Sequence, residues 1–491
     1  MRLAQLRSTL SLSRGQGRRL PAMVCALACL SLVAACTLEP RYRAPALPVP
    51  DQWPMPATTV TDTAAAGTGE TREIGWRDFF VDPRLQRLIE LALSNNRDLR
   101  VAVLNIERAR AQYRIQRAAL LPQIDATASY TKESYPPALS FGFAYTSAYY
   151  DLGVGVTSYE VDLFGRVRSL THAALEQYMV QEQTRRGAQL SLIAEIANAY
   201  LTLAADRELR RLAQQTLESQ QASFGLTEKQ HQIGSASGLD LAQAQTTVEQ
   251  ARADAARYEG NVAQDTDALT LLVGATLDPT LLPEQFDPSI MGIDALPAGV
   301  PSNVLLRRPD VLEAEHTLRA ANANIGAARA AFFPEITLTA DVGTASEQLA
   351  GLFKAGTETW AFIPQATLPI FHGGALRANL AVANVDRNIA VAQYEKAVQS
   401  GFREVADGLA LTATLARQRA AQQALVDATQ SAFELSQRRY KSGRDSYLVV
   451  LDSQRSNYTA QQGLITTRMA EQSNRVTLYE ALGGGWLEHS P

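Results

Sequence analysis

Apolar and polar positions along the chain fall into the same order of elements twice. Helical periodicity runs from about residue 83 to 120 and stops at Pro122, because proline removes a backbone donor and disfavours helix in the residue before it. Period-two alternation follows. Ile124, Ala126, Ala128 and Tyr130 are separated by polar residues, and beyond a Tyr- and Pro-rich loop Leu152, Val154 and Val156 alternate with small ones. A shorter helix over about 309 to 331 leads into a second strand pair, at Ile336, Leu338, Ala340 and Val342 and then at Trp360, Phe362, Ala366 and Leu368. Each pair continues into a helical stretch without proline, about 166 to 232 and 374 to 441, roughly 100 Å long at 1.5 Å per residue.

Both long stretches end at short turns, Gly234, Ser235, Ala236, Ser237 and Gly238 in the first and Gly443, Arg444, Asp445 and Ser446 in the second. Glycine suits a left-handed C-terminal cap, and Ser237 or Asp240 in one turn and Ser446 in the other suit the N-cap of a returning helix. The turns are therefore predicted to be tips of helical hairpins. The return helices, about 239 to 272 and 447 to 482, are half as long as the outgoing ones. The rest of each outgoing helix must pair elsewhere, and the shorter helices fit that gap.

The two halves match in sequence as well as pattern. ARAQYRIQRAALLPQI from Ala109 aligns with ANANIGAARAAFFPEI from Ala321, pairing Arg117 with Arg329 and Pro122 with Pro334; Gly234, Leu241 and Gln245 align with Gly443, Val450 and Gln454. A unit of about 210 residues thus occurs twice, as residues 76–290 and 291–486, followed by a tail at 487–491.

The N-terminus adds a destination. Arg2, Arg7, Arg14, Arg18 and Arg19 precede a fourteen-residue apolar stretch from Ala22 to Ala35, which reads as a secretory leader over residues 1–35. The junction Leu32-Val33-Ala34-Ala35-Cys36 resembles the bacterial lipobox. It implies a mature chain beginning at Cys36, carrying a thioether-linked diacylglycerol and an N-acyl chain, enough for stable anchoring. Thr37 in place of Asp resembles lipoproteins sorted to the outer membrane. Residues 36–75, rich in proline and then in Ala, Thr and Gly, read as an extended lipidated tether.

Composition narrows the function classes. Lys plus Arg is 46 against 50 for Asp plus Glu, a net charge of -4 that loss of the leader's five arginines takes to -9, so no basic nucleic-acid footprint is present. Cys25 and Cys29 leave with the leader, and His172, His231, His316, His372 and His489 are dispersed without ligand spacing, so no metal site or other cofactor is expected. There is no GxSxG elbow, phosphate loop or HExxH helix, and the expectation is a protein that is not an enzyme. No apolar run reaches the eighteen or so residues of a membrane-spanning helix.

A β route through a membrane stays open. Four strands cannot close a barrel, and an open edge in lipid leaves amides and carbonyls unpaired, so several copies must share one barrel. Two copies give eight strands and a filled interior; three give twelve and a wider lumen. Asp125, Thr127, Thr337, Thr339 and Asp341 supply the polar alternate face that a wet interior requires.

The segments WRDFFVDPRLQRLIELALSNNRDL, YKSGRDSYLVVLDSQRS and LYEALGGGW resemble the outer-membrane efflux lipoproteins of the OprM/NodT group, relatives of TolC, and the likeness runs from Cys36 to Trp486. It implies an α+β membrane protein: a homotrimer in outer-membrane lipid, with a twelve-stranded β-barrel, four strands per protomer, continued by a long periplasmic α-helical barrel. It also implies a channel of a tripartite efflux pump for drugs and small toxic compounds, with a periplasmic adaptor (membrane fusion protein) docked at the hairpin tips and an inner-membrane transporter of the resistance-nodulation-division type. Leu448, Asp452 and Arg455, spaced i, i+4 and i+7, make one stripe on the second return helix. The resemblance makes that stripe the periplasmic gate, whereas spacing alone describes a solvated face with a local ion pair. The aligned positions in the first unit are Leu239, Gln243 and Thr246, so only the second hairpin carries charge there. A periplasmic adaptor would have one hairpin between soluble β domains, unlike this chain, while a type I protein secretion duct shares the architecture.

Overall fold

The computed structural model describes residues 37–54, 74–139, 143–287, 290–291, 302–484 and 487–490; the leader and Cys36 lie outside them. The described helices are α1 (Trp76–Phe79), α2 (Pro83–Asn95), α3 (Arg97–Ala118), α4 (Arg166–Gln232), α5 (Gly238–Val273), α6 (Pro309–Ala330), α7 (Ala375–Lys441) and α8 (Tyr447–Ala481). The strands are β1 (Ile124–Tyr135), β2 (Tyr145–Glu160), β3 (Glu335–Ser346) and β4 (Glu358–Thr367). The chain divides into two compact units, one of residues 1–44, 108–178 and 316–391, the other of 45–107, 179–315 and 392–491, so both repeats contribute to both units.

In the first unit the strands form one antiparallel sheet in the order β1-β2-β3-β4. β2 pairs with β3, which joins the two repeats in the middle and leaves one edge each of β1 and β4 outside. The strands extend well into the Tyr-rich stretch expected to be loop, with Tyr130 opposite Tyr150 and Tyr135 opposite Tyr145. Alternation there is carried by tyrosine and serine, residues that favour a pleated surface without being aliphatic. Ala126, Val154, Val342 and Trp360 lie in one row of the ladder, and Trp360 keeps 80% of its surface exposed. On the alternate face Asp125 and Asp341 flank Gly155 in another row. The apolar face is wide and uncovered, as a surface bound for lipid requires.

In the second unit, Phe79, Phe80, Leu88, Ile89, Ile196, Tyr200, Leu269 and Tyr479 belong to the largest core cluster. Phe79 stacks on Tyr479 with ring centroids 3.9 Å apart. One eighteen-residue window of α4 has a mean hydropathy of 1.2, long and apolar enough by composition to cross a membrane, yet 61% of it is buried within the protein. The window reads as core, a refinement of the sequence reading, which found no such run.

Two further expectations change. The helix anticipated over 83 to 120 is two helices, broken at Asn96. Asn96 caps α3 by accepting from Leu99 N at 2.8 Å and donates to Leu272 O at 2.8 Å, so one buried amide ends one helix, starts the next and holds α5. Over its described residues 37–54 the tether is extended but not free, while residues 55–73 lie outside the described residues. Trp53 is 6% exposed and stacks on Phe402 at 4.6 Å, with Leu47 and Val49 packed against the same cluster. Arg308 anchors that region: it donates to Asp310 at 2.8 and 3.0 Å, to Glu404 at 2.7 Å and to Ala481 O at 2.5 Å.

Asn96→Ala would leave Leu99 N and Leu272 O without partners, lowering stability by about 2 kcal/mol. A thermal melt that matches the parent would contradict the role given to this side chain.

Candidate functional site

The two hairpin tips share a backbone and differ in chemistry. Gly234 and Gly443 both sit at positive φ, 77° and 70°, closing α4 and α7 in the left-handed conformation that spares glycine a Cβ clash. At the first tip Ser237 accepts from Asp240 N at 3.1 Å, while Ser237 N donates to the Asp240 carboxylate at 3.0 Å, a reciprocal capping box. Ser446 occupies the same place at the second tip, but its side chain makes no cap bond, contrary to the sequence expectation. Arg439 instead donates to both oxygens of Asp445 at 2.6 and 2.8 Å, and this bond holds the Asp445 carboxyl below its usual range. Ser235, Ala236, Gly238 and Arg444 complete the tips, and all but Ala236 are exposed.

Above the tips, α8 turns one face inward. Tyr447, Val450, Leu451, Gln454 and Asn457 are buried, and Tyr440 OH donates to Gln230 at 3.2 Å to tie one hairpin to the other. That seam leaves Leu448, Asp452 and Arg455 together on the exposed side, with side-chain exposures of 77% for Asp452 and 66% for Arg455. Arg455 Nη2 lies 3.9 Å from Asp452 Oδ1, a separation that contributes little in open solvent. The aligned Leu239 and Thr246 of α5 are exposed too, and no charge stands beside them at Gln243.

A further cluster was not legible as a site. Glu39, His172, Glu176 and His316 meet in the first unit. His172 Nδ1 donates to Glu39 at 3.0 Å, its Nε2 lies 3.3 Å from Glu176, and His316 Nδ1 is 2.6 Å from the other Glu176 oxygen. Hydrogen bonds to Glu176 and then to Glu39 outweigh burial and raise His172 to about 10. Burial alone would raise Glu176, but bonds from His172 and His316 overcome it and bring the carboxyl to about 2. The i, i+4 spacing of His172 and Glu176 was the available signal; the partners on other segments were not.

The outer membrane efflux protein family matches residues 88–275 and 300–484. The chain belongs to this family. It is 48% identical over 461 residues, 94% of each chain, to the antibiotic efflux pump outer membrane protein ArpC of Pseudomonas putida. The toluene efflux pump outer membrane protein TtgC of Pseudomonas putida matches to the same extent. The open state of the Neisseria gonorrhoeae MtrE outer membrane channel matches with a TM-score of 0.82 at 39% identity, over 92% of this chain and 99% of that one. The chain is thus an OprM-like outer membrane factor whose α+β fold is that of the outer-membrane channels.

Two outcomes follow for this efflux protein. Ser237→Ala should destabilise the first tip by about 1 kcal/mol, since a helix loses its cap, while Ser446→Ala should leave the second unchanged. Hydrogen exchange in the first turns of α5 and α8 reads the contrast, and equal effects would contradict it. The Glu39 cluster should be firmest at about pH 4.5 to 6.5. His172, raised when folded, loses its contribution as pH climbs from its ordinary value toward 10, and Glu176, depressed when folded, loses its own as pH falls toward 2. Arg319, over the Tyr42 ring, and Arg329, which donates to Leu38 O, are the cations that face the same segment from α6. Exchange of amides 37–44, corrected for intrinsic rates, should quicken between about pH 6.5 and 10.

Proposed function

We propose that three copies of this chain form the outer-membrane channel of a tripartite efflux pump, with twelve strands closing a barrel and the paired helices continuing it through the periplasm. The carrying observation is the 48% identity over 94% of both chains to pump outer membrane proteins named for antibiotics and toluene. The uncovered apolar sheet face supports it, since strands with unpaired edges are stable in lipid only when further strands close the barrel. Antibiotics, solvents and other small toxic compounds are the cargo, received from a periplasmic adaptor and an inner-membrane transporter of the resistance-nodulation-division type.

Within this reading, Leu448, Asp452 and Arg455 of the three copies meet around a narrow lumen and close its periplasmic end. Charge-assisted bonds that are partly buried contribute about 1.5 to 3 kcal/mol each, so pairing across copies would make the exposed stripe of one chain a closure of three. Replacing Asp452 and Arg455 together with Ala should raise single-channel conductance in planar bilayers and sensitise cells to large antibiotics, with trimer yield unchanged. Conductance equal to the parent would remove these residues from the gate. The tips around Gly234 and Gly443 are the adaptor's docking points, and Ser237→Trp or Ser446→Trp should abolish efflux while heat-resistant trimers persist.

Cys36 bears the diacylglycerol and N-acyl chains. The mass of the mature N-terminus checks this directly, and an unmodified peptide beginning upstream of Cys36 would refute it. Cys36→Ser should weaken anchoring while the barrel still holds the protein in the membrane.

A further inference from the structure

The segment after Cys36 lies against the first unit along a track of specific contacts. Thr37 passes Gly165 so closely that a methyl group there would stand 3.2 Å from Thr37 Cα. Arg329 donates to Leu38 O at 3.3 Å and the buried Asn322 to Pro40 O at 2.7 Å. Gly326 of α6 makes room for Glu39, because a methyl group there would be 2.8 Å from Glu39 Cα and 2.6 Å from Ser169 Oγ. Arg319 covers the Tyr42 ring at 5.0 Å. Among these contacts the Glu39 carboxylate is the segment's charged one, and it meets His172 at 3.0 and 3.1 Å.

We propose that Glu39 and His172 form a latch that seats residues 37–42 between the start of α4 and α6 and so holds Thr37, the residue that follows the acylated Cys36, against the turn from β2 into α4. The latch is made of three segments. Glu39 comes from the tether, His172 and Glu176 from α4, and His316 from α6, which braces Glu176 from the far side. The Glu39 carboxylate, three residues along the chain from the acylated Cys36, then fixes the segment that follows the anchor where the strands give way to helix. His172 is a positioning residue: it touches neither lipid nor cargo, and acts by holding Glu39. Glutamine in place of Glu39 keeps the shape and removes the charge, and the seat on α6 depends separately on Gly326 having no side chain.

The inference rests on the reading that Cys36 carries the lipid, and intact mass separates the two. An unacylated parent would overturn that reading and leave the latch comparison valid. The test uses the full-length protein in mild detergent and follows tryptic cleavage after Arg41 and Arg43, both exposed and both within or next to the seated segment. Cleavage tracks how often the segment leaves its seat. Glu39→Gln and His172→Gln should each speed release of the fragment bearing Cys36 by about tenfold, and the double variant should be no faster than either single, as expected of one shared interaction. Gly326→Ala should speed release as well, with the charges intact, and serves if a latch variant assembles poorly. Heat-resistant oligomer in each sample confirms that assembled protein is being read. Release rates equal to the parent in both single variants, or effects that add in the double variant, would overturn the latch.

Discussion

A sheet with an uncovered apolar face and two unpaired edges cannot be finished by one chain. Inside lipid, each free amide or carbonyl along β1 and β4 loses its water without gaining a partner, a loss of several kcal/mol per group. Covering the edges with loops is no remedy, because loops carry the same unsatisfied groups. Closure with further copies, as proposed, would satisfy every one of them, and the internal duplication suits it. β2 already pairs with β3 across the repeat boundary, so the chain contains one example of the junction that its outer edges need. In the proposed channel the long helices would follow from the same constraint, since strands arranged around a lumen oblige the helices continuing from them to surround one.

Charge is used in two different ways along this frame. Arg308 is nearly buried and fully engaged, by two carboxylates and a carbonyl, so removing any partner would leave a buried charge short of its bonds. Asp452 and Arg455 are exposed and loosely paired, and contribute little to one chain. The first arrangement suits a fixed joint. The second suits groups whose partners are supplied by assembly, and whose energy is therefore available to open or close it.

Much of this fold was legible because its punctuation is chemical. Pro122 and Pro334 set the starts of strands, and Gly234 and Gly443 the tips, each through a backbone restriction that needs no tertiary knowledge. The break at Asn96 was missed because apolar periodicity carries on through it, although the polar run Ser94, Asn95, Asn96, Arg97 and Asp98 held a capping signal. Trp53 and Glu39 were missed for a different reason. Proline-rich composition describes a segment's own lack of structure, and says nothing of a groove built by residues more than a hundred positions away, as His172 is from Glu39. The stripe of Leu448, Asp452 and Arg455 lies on an exposed face of one chain, as its spacing alone describes, and its assignment to a gate comes from the family likeness.

The two tips show how duplication becomes asymmetry. Backbone conformation has been kept, with glycine at positive φ in both, while the polar device beneath each has diverged. In the first, a capping box ties Ser237 to Asp240 inside the helix it starts, so the bond strengthens that helix wherever the hairpin moves. In the second, Arg439 reaches across the turn to Asp445, binding the end of one helix to the approach of the next by an exposed ion pair that salt or a competing charge weakens. An approaching partner can therefore alter the second hairpin more readily than the first. The proposed gate residues stand on the same second hairpin, on α8 directly after the turn that the ion pair spans, so in the proposed closure the responsive ion pair and the gate share one hairpin, and the first hairpin would supply the wall against which they act.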